Sequence, residues 1–498
     1  MARTAPATDA GSVTNAAVPY IDVHETHTGM VVLVGDRALK AKKPVLTDFL
    51  DFRTAQQRER ACLREVELNS RLSPDSYLGL AHLSDPAGGP AEPVVVMRRY
   101  RDEDRLASLV TNGAGETVGD LLDAIAAVLA RFHRGAERGP AIGAEGEAGA
   151  VDRRWRDNLA ELDRCAGTLP PESLSRVRQL VAEFIAGRGP LFGRRVAEGH
   201  IVDGHGDLLA DDIFCVRGEP ALLDCLEFDD KLRYVDCVDD AAFLAMDLEF
   251  LGRKDLGEHF LERYAAHSER AVPPALAHFY IAYRAGVRAK VDCVRLSQGK
   301  PQAAGDAARH LAIAVEHLET SRVRLALVGG NPGTGKSTVA RALAEQTGAQ
   351  VISTDDVRRE LRDAGTIRGD AGVLNEGLYH PGNVGTVYEA ALGQARTRLG
   401  EGQSVILDGT WRDPRLRALA RRVAAETHSA TVELRCVAGI DTAAGRITTR
   451  APGTSEVTPE IAAAMAAKQA DWDTAHRIDT SGRPEDSARQ ALAIWRSP

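Results

Sequence analysis

Apolar and polar positions change their rhythm twice along this chain of 498 residues. In residues 30–45, MVVLVGDRALKAKKPV, aliphatic and β-branched residues flank Gly35-Asp36, which predicts two short strands joined by a tight turn. Between Thr54 and Leu72 the apolar positions Ala61, Leu68 and Leu72 recur with charges between them, a helical period. A β-rich run from Pro93 to Met97 follows, so the opening region reads strand, strand, helix, strand. From about Val118 the pattern turns helical, in 119–136, 154–167 and 173–187. Two segments interrupt it, HIVDGHGDLLADDIFCV and PALLDCLEF, where short apolar stretches alternate with glycine and acidic residues. Helices return from Asp239 to about Leu318. After a boundary near Ser321 the rhythm changes again: LALVGG, STVARALAEQTG, VISTD, a helical stretch to Leu399, SVILDG, a helix, then TVELRCVA. Strands alternating with helices predict an α/β domain with a parallel sheet covered on both faces.

Composition narrows this picture. Lysine and arginine number 62 against 71 aspartates and glutamates, a formal charge of −9, which argues against a general polyanion binder. The seven cysteines are scattered and never spaced CxxC, so reduced thiols are expected rather than a disulfide framework or a cysteine zinc site. No apolar run approaches the roughly 20 residues of a membrane helix, and no membrane partner is expected. Residues 1–18 lack the apolar core of a signal peptide and read as a disordered leader, which makes a cytoplasmic location the expectation.

Chemistry is densest after Ser321. Gly330-Asn-Pro-Gly333-Thr334-Gly335-Lys336-Ser337 fits GxxxxGK[ST], with a strand pattern before it and a helix pattern after it. Glycines let backbone N–H groups close around phosphate oxygens. Lys336 supplies charge to the β- and γ-phosphates, Ser337 offers a hydroxyl to Mg²⁺, and the loop through Thr338 holds an ATP triphosphate at a helix N-terminus. Asp408 ends the VILD strand, where a carboxylate serves either to order a Mg²⁺ water shell or to bind the acceptor. Arg446 and Arg450 lie four residues apart and share one helical face.

Two resemblances extend this reading over nearly the whole chain. The segment Ser353-Thr354-Asp355-Asp356-Val357-Arg358, with Arg446 and Arg450, resembles small P-loop kinases of the polynucleotide-kinase and zeta-toxin type. That resemblance implies Asp355 as the base for an acceptor hydroxyl, Arg358 as an anion contact, and Arg446 and Arg450 as a lid that stabilises the transferring phosphoryl group. Asp355 also suits the N-cap of the next helix. In the N-terminal half, His205-Gly206-Asp207 with Asp212, followed by Leu222-Leu223-Asp224, resembles the HGDxxxxN signature of aminoglycoside phosphotransferases and choline-kinase-like proteins. It implies a bilobal α+β protein-kinase-like fold for residues 19–320, with a small lobe over 19–100 and a large lobe over 101–320, ahead of a P-loop domain over 321–498.

By the same resemblance Asp207 is the catalytic aspartate and Asp224 a metal ligand. Asp212 stands where the family has asparagine, adding a charge and removing an amide donor. Lys40 or Lys42, which share a strand face, would be the nucleotide-phosphate lysine, and Glu65 its helix partner. Residues 24–29, HETHTG, stand where a nucleotide-covering loop belongs and lack GxGxxG. His205 and His133 read as structural. The resemblances together imply a kinase acting with ATP and Mg²⁺ on a hydroxyl of a small molecule such as a sugar or an aminoglycoside-like compound. Two alternatives stay open: a regulatory N-terminal half with catalysis confined to the P-loop half, and a nucleic-acid end kinase or toxin-like kinase, against which the acidic total argues. The oligomeric state is not legible.

Overall fold

The computed structural model describes residues 20–25, 29–46, 51–84, 86–113, 115–165, 167–370, 375–449 and 471–497. The expected leader, the middle of the 24–29 segment and Arg450 lie outside the described residues. The chain divides into two units, one formed by residues 1–124 with 210–230 and the other by 125–209 with 231–498.

The first unit is built on an antiparallel sheet of β1 (Ile21–Glu25), β2 (Gly29–Val34), β3 (Arg37–Lys42), β4 (Tyr77–Leu83) and β5 (Glu92–Arg98), in the order β1-β2-β3-β5-β4. The expected hairpin is present: β2 pairs with β3 from Gly29↔Lys42 to Val34↔Arg37, and Gly35 at φ 56° makes the turn. The helix Ala55–Ser70 starts at Thr54, whose hydroxyl accepts from the Gln57 amide while the Gln57 side chain accepts from the Thr54 amide. Cys62 from this helix joins Ala38, Tyr77, Val95 and Met97 in the core beneath the sheet, with Val66 packed against them. Strands β1 and β4 escape the sequence pattern for physical reasons. IDVHE forms an exposed edge with little alternation to detect. In YLGLAHL the pairing with β5 shifts register between Tyr77 and Gly79, which breaks the period of two. A second hairpin, β7 (Ile213–Val216) with β8 (Glu219–Leu222), completes the unit.

In the second unit, helices Ala148–Arg164, Pro171–Gly187, Gly189–Ala197, Cys237–Phe250, Lys254–Ser268, Pro274–Ser297 and Ala303–Ser321 pack with a short ladder of β6 (Ile201–Asp203) and β9 (Tyr234–Asp236). Beyond them lies a five-stranded parallel sheet of β10 (Arg324–Gly329), β11 (Gln350–Ser353), β12 (Val405–Asp408), β13 (Ala430–Val437) and β14 (His476–Asp479), ordered β11-β12-β10-β13-β14. The expected coverage of both faces holds. Along the fully buried β10, Leu325 and Leu327 enter one apolar cluster while Ala326 and Val328 enter another, so successive side chains face opposite layers. The edge strand β14 was not expected, because HRID is short, mostly exposed and polar. Among the described residues, no helix is long and apolar enough to cross a membrane.

Three helices of this unit bury a chain of titratable groups. His278 Nδ1 lies 2.9 Å from His317 Nδ1, and His317 Nε2 lies 2.7 Å from Glu249 Oε2, with Lys254 beside the carboxylate. Burial, then the neighbouring His317 and Lys254, pushes His278 down to about 4. The unfolded chain therefore binds more protons than the folded one between that value and the ordinary 6.5. Stability is expected to fall as pH drops through this window, and His278→Gln should flatten the slope, as urea titrations at stepped pH would read.

Candidate functional site

In the second unit the site is set by strand register. Ser353 of β11 pairs with Asp408 of β12, and Asp408 pairs with Val328 of β10, so the three strands end in one row. Ligands of open α/β sheets bind at such carboxyl ends. Past Val328 the chain runs through Gly330, Gly333 and Gly335, at φ 138°, 77° and 79°, into the helix Lys336–Thr347. A side chain at Gly330 would collide with the Cys436 carbonyl and one at Gly333 with the Ala443 carbonyl, so the loop is folded tightly onto its neighbours. Lys336 Nζ donates to the Asn331 carbonyl at 3.2 Å, across the loop it closes. Asp408 is nearly buried; burial raises its carboxyl, helped by nearby Asp355, while Lys336 and Ser337 pull it back.

An open cleft of about 1520 Å³ extends from Lys336, Ser337 and Asp408 to Asp355 and Arg358. Asp355 Oδ1 accepts from Arg358 Nη1 at 2.5 Å, and the Arg358 guanidinium lies 4.7 Å from the Tyr379 ring centre. Asp355 is not the N-cap of its helix. Ser353 takes that place, its hydroxyl accepting from the Asp355 and Asp356 amides, because it stands one position before the first helical residue. The cleft thus gathers Lys336, Ser337, Asp408, Asp355 and Arg358. Arg446 is elsewhere: its guanidinium donates to the Thr480 carbonyl at 2.7 Å, and Thr480 in turn donates to the Thr334 carbonyl at 2.8 Å. Arg446 therefore braces the phosphate loop beside Gly335. Thr480 carried no sequence signal, since a lone threonine after a polar edge strand resembles any loop residue.

The other constellation is divided between the units. In the first, β3 presents Lys40 and Lys42 on one face towards Glu65, which is completely buried. Lys40 Nζ lies 2.8 Å from Glu65 and 2.6 Å from Asp224; Lys42 Nζ lies 2.6 Å from Glu65 and 2.5 Å from Glu227. Burial acts to lower both ammonium groups, but the facing carboxylates outweigh it and hold both above the ordinary lysine value. Burial likewise acts to raise Glu65, and the two lysines outweigh it, so its carboxyl is held below its usual range. Asp224 sits at φ 63°, a left-handed conformation costly for a residue with a side chain. The β7–β8 hairpin brings Asp212, just before Ile213, close to Asp224, just after Leu222, since Ile213 pairs with Leu222 and the Leu223 amide donates to the Asp212 carbonyl. Sequence reasoning missed Glu227, whose place three residues after Asp224 does not repeat the two-residue spacing of Lys40 and Lys42.

Asp207 belongs to the second unit. Its loop is held from behind: Asp240 Oδ2 accepts from the His205 amide at 2.7 Å and Oδ1 from the Gly206 amide at 2.9 Å, while Arg284 donates to the Gly206 carbonyl at 2.9 Å and to Asp239 at 2.6 Å. His133 lies 3.0 Å from Asp240 and 2.7 Å from the Tyr264 hydroxyl, a buried structural histidine as expected. The His205 ring accepts from the Asp207 amide at 3.3 Å. Burial acts to raise Asp240, but the hydrogen bonds and charges of His133 and His205 hold it below its usual range. Asp240 and Arg284 were missed. The only trace was an acidic pair opening an otherwise apolar helix, VDDAAFLAM.

Residues 325–471 match the family described as AAA domain, which bears out the P-loop domain. Uncharacterized proteins of Mycobacterium bovis and Mycobacterium tuberculosis are 66% identical over 490 residues, covering 98% of this chain and 98% of theirs. Among solved structures, the GDP complex of aminoglycoside 2′-phosphotransferase-IIIa is 15% identical, with 61% of this chain and 95% of that chain covered and a TM-score of 0.40. A choline/ethanolamine kinase family protein from Mesorhizobium loti is 16% identical, covering 61% and 92%, at 0.37. A sugar kinase from Janibacter is 18% identical, covering 35% and 94%, at 0.28.

Removing Glu65 tests the buried cluster directly. Glu65→Ala leaves Lys40 and Lys42 with one carboxylate partner each, Asp224 and Glu227, and a loss of about 3 kcal/mol is expected. Urea denaturation of the full chain would read it, with Glu65→Asp losing less.

Proposed function

Since the chain belongs to the family of these uncharacterized mycobacterial proteins and carries an AAA domain, we propose that it is an ATP-dependent phosphotransferase acting on a hydroxyl of a small molecule such as a sugar. The observation that carries this reading is the alignment of Lys336, Ser337 and Asp408 with Asp355 around one open cleft. Lys336 and the loop amides would hold the triphosphate, and Asp355 would face the acceptor. As the acceptor oxygen bonds to the γ-phosphorus, the bond from that phosphorus to ADP breaks and Asp355 takes the hydroxyl proton. Arg358, beside Asp355, orients that carboxylate. The hydroxyl of Ser337 and the buried carboxylate of Asp408, which line the same cleft, are a hard oxygen donor set that fits Mg²⁺. When bound there, the ion supplies charge neutralisation at the β- and γ-oxygens. Arg446 and Arg450 remain the proposed lid, with Arg446 acting through the phosphate loop.

The N-terminal half reads as a second ATP site. Lys40, fixed by Glu65, would meet the phosphates; Asp212 and Asp224 would hold Mg²⁺; Asp207 would orient an acceptor hydroxyl. A specific feature favours a regulatory role for this half instead: Asp212 adds a carboxylate where the resembling families carry an amide. A cytoplasmic enzyme without nucleic-acid or membrane partners completes the reading.

The test is mass spectrometry of a small-metabolite extract incubated with the full chain and isotopically labelled ATP. A new phosphorylated species is expected, reduced at least about 100-fold in Lys336→Ala, the scale of losing one preorganised charge donor to a developing anion. Asp207→Ala separates the alternatives: wild-type rates with every working acceptor would confine catalysis to the P-loop half. No labelled product with the unmodified protein would sink the proposal.

A further inference from the structure

One buried guanidinium links two parts of the second unit. Arg188, the residue between helices Pro171–Gly187 and Gly189–Ala197, is almost wholly buried. Its partners all belong to the P-loop region: the Leu399 carbonyl, the Thr427 carbonyl at 2.5 Å, the His428 carbonyl at 3.3 Å and the Ser429 hydroxyl at 3.2 Å. Leu399 lies in the last turn of helix Pro381–Gly400, and Thr427 and His428 directly follow helix Pro414–Glu426. Carbonyls at helix C-termini lack intrahelical donors and carry the negative end of the helix dipole. A cation forked between two such ends satisfies both, and here no carboxylate takes part: burial alone pushes Arg188 down to about 10.

The opposite ends of these two helices wall the cleft. Pro381, Val384 and Tyr388 line it from the first helix, and Asp413, Arg415 and Leu416 from the start of the second. The Tyr388 hydroxyl also accepts from the Thr410 amide at 3.0 Å and the Trp411 amide at 3.3 Å, tying the first helix to the loop that follows Asp408. At 1.5 Å per residue the helices are rods of roughly 30 and 20 Å, stiff enough to carry a displacement from one end to the other. The contact around Arg188 leaves little slack. A side chain at Gly187 would collide with the Thr427 carbonyl, Gly400 abuts Pro190, and Arg194 pairs with Glu401 at 2.9 Å.

We propose that Arg188 is a positioning residue for the acceptor cleft: by gripping the far ends of both wall helices, it makes the helical segment before Ser321 part of the P-loop site's framework. That the cleft receives the acceptor rests on the function proposed above; the mechanical link does not. The segment resembling an aminoglycoside phosphotransferase thus has a role in the other half that needs no chemistry of its own.

Hydrogen exchange of the full chain tests the link, with the non-hydrolysable ATP analogue AMP-PNP as the binding probe. In Arg188→Met, amides at the cleft ends, 381–388 and 410–418, are expected to exchange at least about tenfold faster than in the wild type while β10 stays protected. AMP-PNP affinity should stay within about twofold, because Lys336 and its loop stand on β10 rather than on the wall helices. Arg188→Lys, which keeps the charge but loses the fork, should recover part of the protection. Gly187→Ala should loosen the same amides by wedging the Thr427 end. Faster exchange confined to 397–400 and 425–429 in these variants would overturn the proposal. If the Met variant loses protection in β10 as well, Arg188→Lys and Gly187→Ala decide by the same amide sets. Failure of AMP-PNP to bind the wild type would instead count against the proposed function and leave the exchange result standing.

Discussion

An ionised carboxylate taken out of water must be met by donors on nearly every side, and three such groups organise this protein. Glu65 is met by two ammonium groups, Asp240 by two amides and an imidazole, and Asp408 by the charge of nearby Lys336. Each match fixes a segment that could otherwise adopt many conformations: the lysine strand, the loop of Asp207, and the strand end behind the phosphate loop. A buried charge is weak evidence for stability but good evidence for a defined arrangement, since removing either partner exposes the cost of the other. The chemistry-bearing residues sit one step away from these anchors. Asp207 follows the amides that Asp240 holds, Asp224 faces the lysine that Glu65 holds, and Ser337 lines the same cleft as Asp408.

Helix ends supply the complementary constraint. Arg188 does for four acceptor oxygens what the lysines do for Glu65, with dipole ends in place of a formal charge. Asp236 and Ser353 cap helix N-termini through their side chains, and the Ser353 cap frees Asp355 to face the cleft instead of its own backbone. Capping and active-site geometry are therefore one problem in this sheet: the residue one position before the helix takes the backbone amides, and the next acid becomes available for chemistry.

What the sequence made legible was local. The phosphate loop was readable because each of its residue types answers a need within eight consecutive positions, and the hairpin around Gly35 because β-branched residues flank a turn pair. What escaped depended on distant partners or on broken periods. Arg188 meets a carbonyl 211 residues away and Asp240 meets an amide 34 residues away, and neither separation leaves a pattern. Strands β1, β4 and β14 lacked alternation because they are exposed, bulged or polar. The Asp355 cap was misassigned for a simpler reason: Ser353 and Asp355 are both good caps, and only the start of the helix decides between them.

Between Lys40 and Lys42, level by spacing, exposure favours Lys40 for the proposed contact with a phosphate. A side chain that must meet a phosphate needs one open side, and the Lys40 side chain keeps 16% of its surface accessible with Asp224 at 46%, against 3% for Lys42 with Glu227 at 15%. Lys42 and Glu227 are then a second, closed ion pair that holds Glu65 from the side Lys40 leaves free. This matters for the energetics of the proposed nucleotide site. Lys40 and Asp224 already neutralise each other, so a phosphate arriving at the lysine and a divalent cation at the aspartate would exchange one ion pair for two, at little cost in unpaired charge. With Lys40 alone on the strand, Glu65 would lose its fixed partner each time Lys40 moved towards a phosphate. The duplicated lysine leaves Lys40 available to the proposed nucleotide site while Lys42 keeps the buried acid satisfied.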